Sequence, residues 1–531
     1  MRPRVLAVLA ALFYLAVSFD HLSTFPKVGE DEPWIAAAPY KLATSGVYGD
    51  DLFAGYYGVE QRNYQQMPLY PLIEAAVFKA FGAGVAQMRA LPVAFGFALL
   101  LLVFAAAARI ADERVAALAV VLLVSLKVAA VQGATGIVLL DRARVNRYDV
   151  AVPVFGLIAF LLMSSRRFFL AGVAIGLASL SHLYGLFWFP ALALVIAIDR
   201  GRRALRERPM WRMLGGFACA ALPWAVYVAT GWQDFRGQML FVAARFDLLN
   251  PSFYADNLLH AQGPISVQWL RQTLPDVPWH RVGTWTTLVG IPTALVAMFR
   301  TRERGDASRN GPFAFAVIAV AQLAMFVLLL KVKTYSYMIA LWPLGIICLA
   351  WLGVWMWDRS RRAVWRAALA ALGLAIVAQG GIAVVRSHQE AARTTPYDFF
   401  EAEVARCIPG GSRVLGLQHY WLGLRQFEYR TWLMPLNMAN PLYYDHPISL
   451  DRAIAFVKPD VILIDRYMSD MLAEAAPPAH PNHRYAAGLD AYLNAHAVEH
   501  ACVIRDATYG RMEVLRIQGS GIREQGLGIR D

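Results

Sequence analysis

Two adjacent carboxylates, Asp31 and Glu32, follow closely on an apolar run from Val5 to Phe19, and a third, Glu30, precedes them. A carboxylate placed there can take a proton from a hydroxyl. It can also simply favour a helix start. Pro33 suits the first position of a helix, with Glu32 before it and the negative charge at the positive end of the helix dipole. The residue types alone leave capping and catalysis both open.

A further carboxylate to account for is Asp149, in the stretch DRARVNRYDV from Asp141 to Val150, where another apolar run begins. An ionisable group inside hydrocarbon costs roughly 2.5–3.5 kcal/mol at a helix centre and less toward its ends, so Asp149 needs a partner. Arg144 and Arg147 are near in sequence. The pairing could be structural, or Asp149 could share a cavity with Asp31 while an arginine meets an anionic substrate.

Lys331, Lys333, Tyr335 and Tyr337 in LLLKVKTYSYMIALWP fall between two apolar runs. Lysines there bind a lipid phosphate or snorkel to water. His182 and Tyr184 in SHLYG, and Arg271, His280 and Arg281 further on, have the chemistry for similar work or for a structural role. The stretch YYGVEQRNYQQMPLYPLIEAAVFKAFG is rich in Tyr, Gln and Pro and carries Arg62. Such side chains suit a sugar or a head group, and equally an interfacial aromatic belt.

The elements that must position these residues are membrane helices. The 531 residues are 58% hydrophobic, above the ~45–50% of soluble domains, so the chain reads as an integral membrane protein. Its net charge of +12 does not mark a nucleic-acid partner, because the basic residues fall in short clusters between apolar runs.

Runs long enough, or nearly so, to span ~30 Å of hydrocarbon lie near 5–22, 90–110, 115–133, 149–164, 213–230, 284–300, 312–331, 337–356 and 364–385. The run 168–198, too long for one ordinary span and broken at Ser181–Gly185, reads as two short helices. The first run has the basic head and apolar middle of a secretory signal but no small-residue cleavage site after it, so it is kept as a span. With about eleven spans, the clusters Arg2–Arg4, Arg109–Arg114, Arg166–Arg167, Arg200–Arg212, Arg300–Arg309 and Arg359–Arg366 all fall on the cytoplasmic side.

That arrangement leaves loops 23–88 and 231–283, and everything after about 387, on the exterior. The division expected is a transmembrane domain, 1–386, and an extracytoplasmic α/β domain, 387–531. Within the latter, the β-rich runs SRVLGL and DVILID alternate with helix-like SLDRAIAFVKP, and MEVLRI comes near the end. It has no Gly-rich phosphate loop, and no internal repeat is evident. Cys219 and Cys348 lie in apolar runs, while Cys407 and Cys502 could pair if their part faces an oxidising compartment, or remain two buried thiols.

In these residues the chain resembles the GT-C glycosyltransferase superfamily, in particular protein O-mannosyltransferases and bacterial aminoarabinose and other lipid-linked sugar transferases. The resemblance rests on the Asp31-Glu32 pair, MPLYPLIEAAVFKAFG, MRALPVAFG, RVNRYD, GLASLSH and KTYSYMIALWP, in that order along the membrane part. It implies that Asp31 is the catalytic carboxylate with Glu32 beside it, and that Asp149 is a second acid of the cavity. Lys333 and Tyr335 would lie near a donor phosphate, for which Arg62, Arg144, Arg147 and His182 are further candidates. The aminoarabinose branch usually has a lysine before a Pro-Pro pair in the first loop; here the residues are Gln66, Met67 and Pro68, which counts against that donor.

The function expected is inverting transfer of a sugar from a polyprenyl-phosphate carrier to a lipid, glycan or protein acceptor at the exterior face of a bacterial inner (plasma) membrane. No cofactor is called for; a divalent metal occurs in related enzymes, but no ligand cluster demands one. The rival expectation is a lipid or solute transporter or flippase, which intramembrane charge and a broken helix also fit. A missing inverted repeat and the large exterior parts speak against it.

Overall fold

The computed structural model describes residues 2–29, 31–128, 135–201, 203, 207–261, 263, 265–301, 311–480 and 482–518. Glu30 and several arginines of the clusters at 200–212 and 300–309 lie outside these residues.

Every apolar run read from the sequence holds a helix. Among the described residues seven helices are long and apolar enough to cross a membrane: Val85–Ile110, Leu183–Arg200, Arg208–Thr230, Val282–Arg300, Gly311–Leu329, Tyr335–Arg359 and Ala363–Ala391. Pro3–Phe19, Tyr148–Ser164 and Phe168–Ser181 are apolar but shorter. The 17 residues of Pro3–Phe19 rise only about 26 Å, short of a full hydrocarbon core.

The expected break in 168–198 is present. Helix Phe168–Ser181 stops at His182, which is extended, and a 3₁₀ turn Leu183–Phe187 leads into Trp188–Arg200. Gly185 is required at the turn, since a Cβ there would lie 2.1 Å from the Ala178 carbonyl oxygen. Helix Phe168–Ser181 packs backbone to backbone on Arg208–Thr230: a Cβ on Gly172 would meet the Met213 carbonyl, and one on Gly216 the Phe169 carbonyl. Small residues at such a crossing let membrane helices approach closely enough for dispersion to hold them.

Ion pairs gather the two ends of the bundle. At one end Arg4 meets Glu113, and Arg114 bridges Asp112 and Asp358 at 2.9 Å each. At the other, Asp20, Asp31, Arg147, Asp149, Ser336 and His388 are found in contacting groups. The basic turns at Arg4, Arg109–Arg114 and Arg359 therefore share an end, opposite the acidic pair.

Beyond the last span lies a five-stranded mixed sheet, β1 (Arg413–Gly416), β2 (Glu428–Thr431), β3 (Val461–Asp465), β4 (Ala497–Asp506) and β5 (Gly510–Gln518), in the order β2-β1-β3-β5-β4. β1 pairs in parallel with β2 and β3, and β5 runs antiparallel between β3 and β4. Cys407 and Cys502 form a disulfide; it ties the edge strand β4 to the end of helix Tyr397–Arg406.

The core of this part is not its own alone. Val28, Ala36, Ala37, Leu52, Phe53, Tyr56 and Val59, all from the first loop, share one apolar cluster with Val404, Val414, Val461, Ile462 and Val514.

Candidate active site

Asp31 opens a helix, Asp31–Ser45, whose first turn carries Asp31 and Glu32. The helix begins two residues before the start that Pro33 marks in the sequence. Pro33 is tolerated there because first-turn N–H groups have no intrahelical acceptor in any case.

Arg147 joins the two aspartates. Its Nη1 donates to Asp31 Oδ2 and its Nε donates to Asp149 Oδ2 at 2.7 Å. Asp149 is buried, and its other oxygen accepts from the Tyr184 hydroxyl. The Asp31 side chain keeps 47% of its surface open, and its Oδ1 takes no hydrogen bond among the described residues. One aspartate is thus locked and the other offered to solvent, with a cation fixed between them.

Rings wall the locked side. His182 lies 5.1 Å from Tyr148, 3.7 Å from Tyr184 and 5.6 Å from Tyr337, centre to centre. Arg142 donates to Ser336 Oγ at 3.0 Å, holding the 334–337 turn against the same segment.

Glu32 does something different from its neighbour. It is 3% exposed, and Arg89 grips it with two prongs, Nε to Oε1 and Nη2 to Oε2, both 2.8 Å. Asn146 N donates to Oε1 at 2.8 Å and Gly29 N to Oε2 at 3.0 Å. Asn146 Nδ2 reaches back to the Glu32 carbonyl at 3.2 Å and to Glu74 Oε1 at 2.7 Å, while Tyr70 donates to Asn146 Oδ1 at 2.6 Å. Burial pushes the Glu74 carboxyl well above the usual carboxylate range. This network fastens residue 146 to residue 32 and so sets Arg147 and Asp149 facing Asp31.

Two solved structures match most of the chain. Archaeal oligosaccharyltransferase AglB from Archaeoglobus fulgidus, in complex with an inhibitory peptide and a dolichol-phosphate, is 13% identical over 96% of this chain and 74% of its own, with a TM-score of 0.57. ArnT from Cupriavidus metallidurans, bound to undecaprenyl phosphate, is 17% identical over 96% of this chain and 97% of its own, with a TM-score of 0.56. The chain shares the overall fold of AglB and ArnT. No protein-family profile and no curated protein sequence matches it.

On this fold the other expected residues are dispersed. Arg144 is buried and donates from Nη2 to the Asp20 and Phe25 carbonyls, the latter at 3.1 Å, with its guanidinium over the Phe25 ring. It braces the turn before Asp31. Arg62 donates to Thr230 Oγ1 at 3.2 Å and lies over the Tyr227 ring. Lys333 is buried and donates to the Asn257 carbonyl at 2.6 Å; burial brings its ammonium down to about 8. Tyr335 is exposed, with its ring 6.4 Å from Trp269. None of these four contacts Asp31 or Asp149.

Residues that the sequence reading did not single out but that hold Glu32 and residue 146 in place are Arg89, Glu74 and Tyr70, together with the Asn146 side chain. Among the described residues, the His, Cys, Asp and Glu side chains close enough to share a metal ion are Asp20, His21 and His388, and not Asp31, Glu32 or Asp149.

Proposed function

We propose that the chain is an inverting glycosyltransferase that moves a sugar from a polyprenyl-phosphate carrier to an acceptor hydroxyl at the exterior face of a bacterial inner membrane. One observation carries this reading: Asp31 is open to solvent while Arg147 and the buried Asp149 fix it in place. AglB and ArnT, which share the fold, were captured with dolichol-phosphate and undecaprenyl phosphate respectively, and this supports a donor of that class.

In the proposed reaction Asp31 takes the acceptor proton as its oxygen attacks the anomeric carbon. The bond from that carbon to the phosphate oxygen breaks, its electron pair leaves with the phosphate, and a single displacement inverts the centre. Phosphate is a good leaving group, so no acid is needed. Arg147, fixed between Asp31 and Asp149, would stabilise the charge that grows on it. Lys333, Tyr335, Arg62 and His182 would border the routes by which lipid and acceptor reach this point. Glu32 and Arg144 would act as positioning residues.

The bundle end carrying Asp31 would face the exterior, with residues 387–531 beside it as an extracytoplasmic domain. A disulfide in that part supports an oxidising side.

Purified protein should release labelled sugar from a radiolabelled polyprenyl-phosphate donor and pass it to acceptor. Movement of intact carrier across vesicles with no sugar release would mean a flippase instead.

A further inference from the structure

Away from Asp31, three side chains from opposite ends of the sequence converge. Asp20 caps α1 (Pro3–Phe19), His21 follows it with a φ of 51°, and His388 lies in the last turn of the helix Ala363–Ala391. Asp20 Oδ1 is 2.9 Å from His21 Nδ1, and Asp20 Oδ2 is 2.8 Å from His388 Nδ1. One ligand atom from each residue lies within 4.8 Å of the other two.

We propose that Asp20, His21 and His388 bind a divalent transition-metal ion, with zinc the best fit. Two imidazoles and a carboxylate are a borderline donor set that favours zinc over magnesium or calcium. Donors around one tetrahedral ion, each about 2.0–2.1 Å from it, lie about 3.4 Å apart. The separations Asp20 Oδ1 to His21 Nδ1 and Asp20 Oδ2 to His388 Nδ1 are already shorter than that, and a pair at the 4.8 Å limit needs to close by about 1.4 Å.

All three side chains are partly exposed, so an ion can enter and water can fill a fourth position. No lysine or arginine pairs with the Asp20 carboxylate among the described residues; Arg144 takes the Asp20 backbone oxygen instead.

The site would be a brace. It ties the end of α1 to the end of Ala363–Ala391, and so fixes the turn from Asp20 to Phe25. That turn offers its carbonyls to two buried arginines: Asp20 and Phe25 to Arg144, and Leu22 to Arg89 at 2.9 Å. Arg89 in turn grips Glu32. The proposal stands whether or not the chain transfers sugar.

The test uses the full chain in detergent, stripped with EDTA and dialysed against zinc chloride. Bound metal is counted by atomic emission, and cobalt is substituted for an electronic spectrum. Expected are one zinc per chain at micromolar concentration, binding at least tenfold weaker in His388→Ala and Asp20→Asn, and a zinc-induced rise in thermal midpoint that both variants lose. The cobalt spectrum should lack a thiolate charge-transfer band, which excludes Cys219.

His388→Gln, which keeps the side chain's bulk, replaces the alanine variant if that one misfolds without metal. Equal zinc binding by wild type and variants, or binding only at millimolar zinc, would overturn the site.

Discussion

Replacing Asp31 by Asn and Glu32 by Gln, one at a time, should separate two neighbouring carboxylates by what each loses. Asp31 is about half exposed and has one ion partner. Pairs of that kind contribute about 0–1 kcal/mol, so Asp31→Asn should unfold at nearly the wild-type temperature. Its glycosyl transfer should fall by about 10²–10⁴, the usual worth of a positioned base.

Glu32 presents the reverse case. Its two oxygens take four donors, from Arg89, Asn146 N and Gly29 N. A glutamine must turn its NH₂ toward donors on one side, which leaves the Arg89 charge buried and poorly matched. Breaking a buried pair this way costs about 3–5 kcal/mol. Glu32→Gln should therefore lower the thermal midpoint by several degrees, with transfer declining as the folded fraction and the setting of Asn146 decline. Thermal unfolding in detergent and transfer from a labelled polyprenyl-phosphate sugar are read on the same preparations. A Glu32→Gln protein as stable as wild type, or an Asp31→Asn protein that retains more than a tenth of its transfer, would refute the assignment of roles.

Two further outcomes concern the first loop and the terminal sheet. Burial raises the Asp50 carboxyl from 3.8 to about 7, so between roughly pH 4 and 7 the folded chain holds a proton that the unfolded chain has lost. Stability should then fall as pH rises through that window, by up to about 4 kcal/mol from this group. Asp50→Asn, which keeps the acceptor for Leu52 N, should flatten the thermal midpoint over the same range. The bond between Cys407 and Cys502 closes a loop of 95 residues, worth about 4.7 kcal/mol on a loop-entropy basis. Cys407→Ser should make residues 397–518 open to limited proteolysis at a lower temperature than in wild type.

Much of the site was legible because membranes make charge conspicuous. Asp31 and Asp149 stand out at the edges of apolar runs, and Arg147 lies two residues from Asp149. The polar and glycine residues at 181–185 likewise announced the helix break. The work of Glu32 was not legible, since its partners Arg89 and Asn146 lie 57 and 114 residues away and nothing local distinguishes a gripped carboxylate from an open one. Lys333 and Tyr335 looked alike in sequence, yet one is turned onto a backbone carbonyl and the other faces outward. Alternating patterns foretold the terminal sheet. They carry no trace of the packing between that sheet and the first loop, which depends on contacts some 400 residues apart, such as Tyr56 donating to the Tyr443 carbonyl.

That shared packing means the terminal sheet is no detachable appendage. Ala36 and Ala37, on the helix that opens with Asp31, are seated in the same apolar mass as β1 and β3, and Tyr40 on that helix meets Trp421 edge to face. Grafting a foreign sheet onto these helices would tilt the helix that carries Asp31, so exchange of the tail between relatives must carry the first loop along with it.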